Sequence, residues 1–176
     1  LGGSNAFVVR PFGFRVSGPP SGVTGSGSTP FTSAGTSFNT TLTAVVWEAA
    51  DDTDNDGVPD SQGTLSTNAV TPNFGLETSA ATATLSHALA EPAGGNLGSL
   101  TGSTNFTGFT NGTKTQSVAY DNVGIIRLLA TTSNYLGSGQ DVTAGPSTGG
   151  LTGVGRFIPH HFDTAVLLHG CPDLDV

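Results

Sequence analysis

Apolar and polar residues alternate with period two over several short stretches of this chain, and no long stretch repeats at the 3.6 spacing of a helix. In TSFNTTLTAVVW (36–47), Phe38, Thr40, Leu42, Ala44 and Val46 fall on one face of the expected strand. In TATLSHAL (82–89), Ala83, Leu85 and Leu89 share a face with His87, which is expected to be partly buried and hydrogen-bonded. FVVRPFGFRV (7–16) is aromatic and β-branched, and Pro11 fits an edge strand or a bulge. AVTPNFGLE (69–77) reads as a short strand with a turn. STNFTGFTNGTKTQSVAY (103–120) reads as a hairpin around Asn111-Gly112. NVGIIRLLATT (122–132) is a buried strand, and VGRFIPHHFDTAVLL (154–168) is the last one. The loops between them, 18–30, 91–102 and 133–153, are rich in Gly, Pro, Ser and Thr.

About seven short strands punctuated by turns predict an all-β fold, an immunoglobulin-like antiparallel β-sandwich with a calcium-binding loop inserted. Residues 1–153 are expected to form that module, with the loop at 51–63. Residues 154–176 are either its last strand or the start of a following, truncated module. Tyr120-Asp121-Asn122-Val123-Gly124 has the form of a tyrosine corner, in which a Tyr hydroxyl bonds back to the backbone where the chain changes sheets.

Composition adds to this picture. The 176 residues include 26 Gly and 10 Pro, no Met and only 10% charged residues, as expected of an extracellular β domain with many turns. The net charge is −8, and the five basic residues (Arg10, Arg15, Lys114, Arg127, Arg156) form no patch, so nucleic acid and anionic membranes are poor partners. No apolar run has the length of a membrane span, so direct membrane insertion is not expected. A start at Leu1 without a signal peptide reads as a mature or excised fragment. Cys171 has no second cysteine here to pair with.

The chemistry concentrates in DDTDNDGVPD (51–60), where five of the chain's thirteen acidic residues stand together. Carboxylates this close repel unless a cation lies among them. The D-x-D-x-D-G order is that of a calcium loop: carboxylates at positions 1, 3 and 5, Gly at 6 for the sharp turn, a backbone carbonyl at 7 and a ligand at 9. The expected Ca²⁺ ligands are Asp52, Asp54, Asp56, the carbonyl of Val58, and Asp60, directly or through water. Position 12 is Gly63 rather than the bidentate Glu of an EF-hand, and no flanking helices are expected. The remaining ligand is then Glu48, Asp51 or a carbonyl near 61–63, with Asp51 alternatively an outer charge. Mg²⁺ suits such an all-protein cage less well. The inferred role is structural, a clamp on a long loop between strands.

Other motifs read blandly. Gly145-Pro146-Ser147-Thr148-Gly149 matches G-x-S-x-G, but it lies in a Gly-rich loop, not between a strand and a helix. His160 and His161, adjacent on a strand, would point to opposite faces and chelate one metal poorly. Arg127 has Glu91 and Asp121 as potential ion-pair partners. Trp47 is expected in the core, with a carbohydrate-stacking role beside the calcium loop as the alternative. No acid/base pair at usable spacing stands outside the aspartate loop, so an enzyme is not expected.

The segments FVVRPFGF (7–14), AGTSF (34–38), WEAADDTDNDGVPD (47–60), AVTPNFG (69–75), PAGG (92–95), DNVGIIRLLA (121–130), SNYLGSGQ (133–140) and VGRFIPHHF (154–162) resemble, in order and over nearly the whole chain, the repeat-bearing region of MshQ-like proteins, the MSHA-type pilus biogenesis proteins of bacteria. The resemblance implies a secreted, immunoglobulin-like module of a larger surface protein associated with type IV pili. Its partners would be neighbouring domains or subunits of that assembly. By the family pattern VGRFIPHHF begins the next module, and this chain has PHHF where the family usually has PDHF. The expected function is an extracellular, calcium-stabilised structural or adhesive module. Two alternatives stand: a filament subunit that pairs strands contributed by its extended termini, and a calcium-dependent carbohydrate-binding module.

Overall fold

The computed structural model describes residues 7–25 and 27–164. Cys171, and the outermost parts of the terminal segments considered for strand exchange (1–6 and 165–176), lie outside the described residues. Among those described, the chain is almost entirely β: β1 (Gly13–Ser17), β2 (Thr32–Ser33), β3 (Ser37–Val45), β4 (Ala83–Glu91), β5 (Leu100–Gly102), β6 (Asn105–Phe106), β7 (Thr113–Tyr120), β8 (Gly124–Thr132), β9 (Val142–Thr143) and β10 (Leu151–Ile158), with single 3₁₀ turns at Ala49–Asp51 and Tyr135–Gly137.

The strands form two sheets. One runs in the order β1-β3-β7-β5 and is antiparallel throughout. The other runs β2-β10-β8-β4-β6, with β9 also on β8; among the described residues β2 with β10 is its one parallel pair. Period-two alternation builds a shared core between them. Phe38, Leu42 and Ala44 of β3 are buried in one cluster with Phe14 and Val16 of β1, Val118 and Tyr120 of β7, Ala83 and Leu85 of β4, Ile126, Leu128 and Ala130 of β8, and Phe157 of β10. Phe14, Phe74 and Phe109 pack with centroids 4.8–6.4 Å apart. Tyr120, Phe157, Phe38 and Phe31 form a second aromatic group at 5.1–5.7 Å. Replacing any one of the buried Phe rings, thus not the half-buried Phe31, by Ala would cost about 3–5 kcal/mol.

The structure corrects several sequence expectations. Asn111 (φ 49) and Gly112 (φ 68) do form a tight two-residue turn, closed by reciprocal Thr110–Thr113 backbone bonds. The 103–120 hairpin around it does not form. The chain before the turn descends along β7 as β5 and then crosses to pair with β4 as β6. Residues 69–77 make a single bridge, Val45 to Val70, and otherwise turns, although Phe74 is buried. The last strand starts at Leu151 and stops at Ile158, where Pro159 offers no amide donor. Val46 lies past the end of β3 and is exposed, and Val45 is buried instead. Trp47 is not in the core; it is 47% exposed.

His87 is partly buried as expected, with Nε2 2.8 Å from the Gly98 carbonyl. Tyr120 closes β7 fully buried, and its hydroxyl accepts a 3.2 Å bond from the Gly98 amide. The hydroxyl thus bonds back to the backbone as expected, but 22 residues up the chain rather than the few of a tyrosine corner.

Candidate metal centre in the aspartate loop

The connection from β3 to β4 carries the aspartates and is fixed at both ends. Val46 N–H donates to the Ala69 carbonyl (2.8 Å), and Leu65 is fully buried with Phe12 and Val45 in a small cluster of its own. Arg15 of β1 donates to the Ser66 carbonyl at 3.1 Å. A long polar segment thus becomes an ordered loop because it carries its own apolar anchor and borrows donors from the edge strand.

Within it, Asp52, Asp54 and Asp56 each offer a carboxylate oxygen, and these oxygens lie within 4.8 Å of one another. Asp52 is 5% exposed; the other two face solvent. The turn that gathers them uses positive φ at Asn55 (58°) and at Gly57 (76°), the position where a calcium loop needs glycine. A Cβ on Gly57 would also lie 2.7 Å from Nη2 of Arg10. The carboxylates are partly satisfied by the loop's own amides. Gly57 N–H lies 3.2–3.3 Å from the two oxygens of Asp52, Asp56 N–H is 3.3 Å from Asp54 Oδ1, and Val58 N–H donates to Asp56 Oδ1 at 2.7 Å. The Trp47 indole N–H donates to Asp52 Oδ2 at 2.8 Å, which holds that ring at the surface rather than in the core.

The other expected ligands stand apart from this trio. Asp60 Oδ2 accepts both the Thr53 amide (3.0 Å) and the Thr53 hydroxyl (2.7 Å). The amide and then the hydroxyl bond hold its carboxyl below the usual Asp value. Asp51 is buried; its carboxylate accepts from Asn68 Nδ2 at 2.7 Å, and its carbonyl accepts the Asp60 amide. Glu48 is exposed at the start of the Ala49–Asp51 turn. Val58 is placed by its amide bond to Asp56.

The donor set suits a hard cation. All three gathered groups are carboxylates, and among the described residues they accept from neutral amides and an indole, while one guanidinium bonds the backbone of the turn. That guanidinium, Arg10, donates to the Gly57 carbonyl at 2.7 Å, across 47 residues. Neither it nor Asn68, which bonds Asp51 from 17 residues away, carries a sequence signal for its contact, because no short spacing encodes it; Trp47, five residues before Asp52, stands within local reach of the loop.

Elsewhere, 145–149 is a turn closed by Gly149 N–H to the Pro146 carbonyl (2.7 Å) and followed by β10, without the helix a nucleophile elbow needs. Arg127 donates to the Thr148 carbonyl rather than to Glu91 or Asp121. Asp121 accepts from the Ser99 amide. His160 and His161 lie past the end of β10, not on a strand, and their Nδ1 atoms come within 3.0 Å at the surface.

Against known families, residues 10–119 match the model described as DUF6701, second domain, and residues 122–173 match DUF6701, third domain. No curated protein and no solved structure matches the chain. The border between the two matched segments falls between β7 and β8, yet β8 lies hydrogen-bonded between β4 and β10, so strands from both segments share one sheet. Matched in order over most of its length, the chain belongs to the DUF6701 family.

Proposed function

We propose that the protein is a calcium-stabilised, immunoglobulin-like β-sandwich serving as a non-enzymatic structural or adhesive module outside the cell. The observation that carries the calcium reading is the convergence of Asp52, Asp54 and Asp56 within 4.8 Å on a turn with Gly57 at positive φ. Asp60 and the Val58 carbonyl, with Glu48 or Asp51 in addition, are the candidates to complete the shell. Asp60 would have to exchange its Thr53 bonds for the ion. The bound ion would supply charge neutralisation and rigidity to the β3–β4 connection; the loop residues supply the ligands and the turn.

The immunoglobulin-like reading is supported by strand order. With β1, β3, β7 and β5 taken as A, B, E and D, and β10, β8 and β4 as G, F and C, the two sheets follow the A-B-E-D and G-F-C pattern. The short β2, parallel to β10, then occupies the place of a split A strand. The pilus-associated setting rests on the resemblance of segments to MshQ-like proteins, not on geometry.

The test is a thermal melt with calcium and with EDTA, together with elemental analysis of the purified chain. An unchanged midpoint and no bound ion would remove calcium from the reading. A second reading is favoured by one contact: Trp47 is half exposed and its indole is fixed on Asp52. That arrangement would present an aromatic face to a sugar beside the ion. A glycan array with and without EDTA decides it, since the absence of calcium-dependent hits rejects it.

A further inference from the structure

β1 is the edge of its sheet, and such an edge offers free amides and carbonyls to any incoming strand. β1 has few of the usual protections: it pairs with β3 in unbroken register, so it has no bulge, it contains neither proline nor an inward-pointing charge, and its one charged side chain, Arg15, is engaged with the Ser66 carbonyl. The groups that face outward belong to Phe14 and Val16, both with buried side chains. The side chain of Gln62 meets them. Its Oε1 accepts the Val16 amide at 2.6 Å, and its Nε2 donates to the Phe14 carbonyl at 2.7 Å. One carboxamide bonded to the carbonyl of residue i−1 and the amide of residue i+1 reproduces the pairing that the N–H and C=O of a single residue make in a parallel strand. The same Nε2 also donates to the Ala144 carbonyl at 2.6 Å, just past β9, and so ties the edge to the second sheet. Pro59, buried three residues earlier, lies over Gly13 at the start of β1.

We propose that Gln62 is an edge guard: it occupies the strand-acceptor site of β1 and keeps a second copy of this chain from pairing there through its own β1. Self-pairing of two edge strands is the contact an unguarded β1 favours, because the two copies meet about a two-fold axis with identical groups. The guard does not depend on the calcium reading, since its three bonds need no ion. It also bears on the filament alternative, which would have to use an edge other than β1 or displace Gln62.

The experiment is amide hydrogen exchange and analytical ultracentrifugation of the 176-residue chain and of Gln62→Ala over a range of concentrations. The parent chain is expected to be monomeric, with the Val16 amide protected although it faces outward from an edge strand. In the dilute variant, Val16 exchange should accelerate about tenfold or more. At high concentration the variant should dimerise and regain Val16 protection, which locates the contact on β1. A freely exchanging Val16 in the parent, or a folded variant that stays monomeric at every concentration, overturns the proposal. Gln62→Glu covers the case in which Gln62→Ala does not fold. It keeps the acceptor for Val16 but sets a carboxylate against two carbonyls, and the same association is expected of it. If neither variant folds, Val16 exchange in the parent decides.

Discussion

Asp54→Asn should change sign with calcium. Asp54 faces two other carboxylates, those of Asp52 and Asp56, at no more than 4.8 Å. Each pair of unit charges at that distance repels by about 0.9 kcal/mol at the dielectric of water. Ionic strength near physiological reduces this by about half, since the separation is a sizeable fraction of the roughly 8 Å screening length. Without a cation, neutralising Asp54 therefore relieves about 1 kcal/mol. For a chain of this size that is a rise in Tm of about 2–4 °C. Asn keeps the Oδ1 acceptor that the Asp56 amide uses, so local geometry is preserved. With calcium at about a hundred times its Kd, the parent gains about 2.7 kcal/mol from the ion, and a variant short of one ligand loses most of it. The assay is differential scanning calorimetry of both proteins in EDTA and in calcium. The variant should melt higher than the parent in EDTA and several degrees lower in calcium. A variant that melts below the parent in EDTA, or the same order in both buffers, would refute the reasoning that the three carboxylates are mutually strained and relieved by an ion.

Three other expectations concern the frame around the site. Gly112→Ala should destabilise by about 2 kcal/mol or more, read by urea melts, because residue 112 has φ +68° and a Cβ would press on Val70 and the Thr71 carbonyl. Tyr120→Phe, which strips a fully buried hydroxyl from the Gly98 amide, should cost about 1 kcal/mol and speed exchange of that amide. Tyr135→Phe removes the 2.6 Å bond to Glu77 Oε1, a charge-assisted contact worth about 1.5–3 kcal/mol. Burial pushes the Glu77 carboxyl up, but the bonds from Tyr135, Ala81 and Gly75 together bring it below the usual Glu value. A carboxyl lowered on folding contributes stability that is present above the unfolded value of 4.5 and is lost as pH falls through the folded one. The acid limb of a stability–pH curve should therefore be shallower in Tyr135→Phe, and an unchanged limb would count against this role for Glu77.

The strands that pattern reasoning finds best are those whose one face is buried and whose other face is not. β3 and β4 alternate where one face is solvated, and β8 shows as an apolar run because neither of its faces is open to solvent: each of its residues is buried or half-buried. The Asn111-Gly112 turn is equally legible, since both residues must take positive φ. Periodicity reports which face is buried, however, and not which strand lies alongside. The switch of the chain from β7 to β4 between Leu100 and Phe106 was therefore invisible, and so was the parallel pairing of β2 with β10 across more than a hundred residues. Residues 69–77 misled for a related reason: Phe74 is apolar because it fills the core from a turn, which needs no ladder.

The aspartate loop divides along the same line. Its D-x-D-x-D-G spacing is local, so a single turn brings Asp52, Asp54 and Asp56 together, and the sequence suffices to see it. What fixes that turn on the molecule is not local. The Trp47–Asp52 bond spans only five residues, but Arg10 bonds Gly57 from 47 residues away and Gln62 reaches β1 from 46–48. Each is a polar side chain that completes a backbone or carboxylate group left open by the β fold, and such demands arise only once the strands are placed. The loop is thus better understood as part of the edge of the sheet than as an insertion between two strands. Its acidic half gathers charge, while its second half, through Pro59, Gln62 and Leu65, covers β1 and closes the gap to β9. An ion held by the first half would stiffen the acidic turn, whereas the three bonds of Gln62 to Phe14, Val16 and Ala144 need no ion, so calcium removal should leave the Val16 amide protected and loss of Gln62 should not.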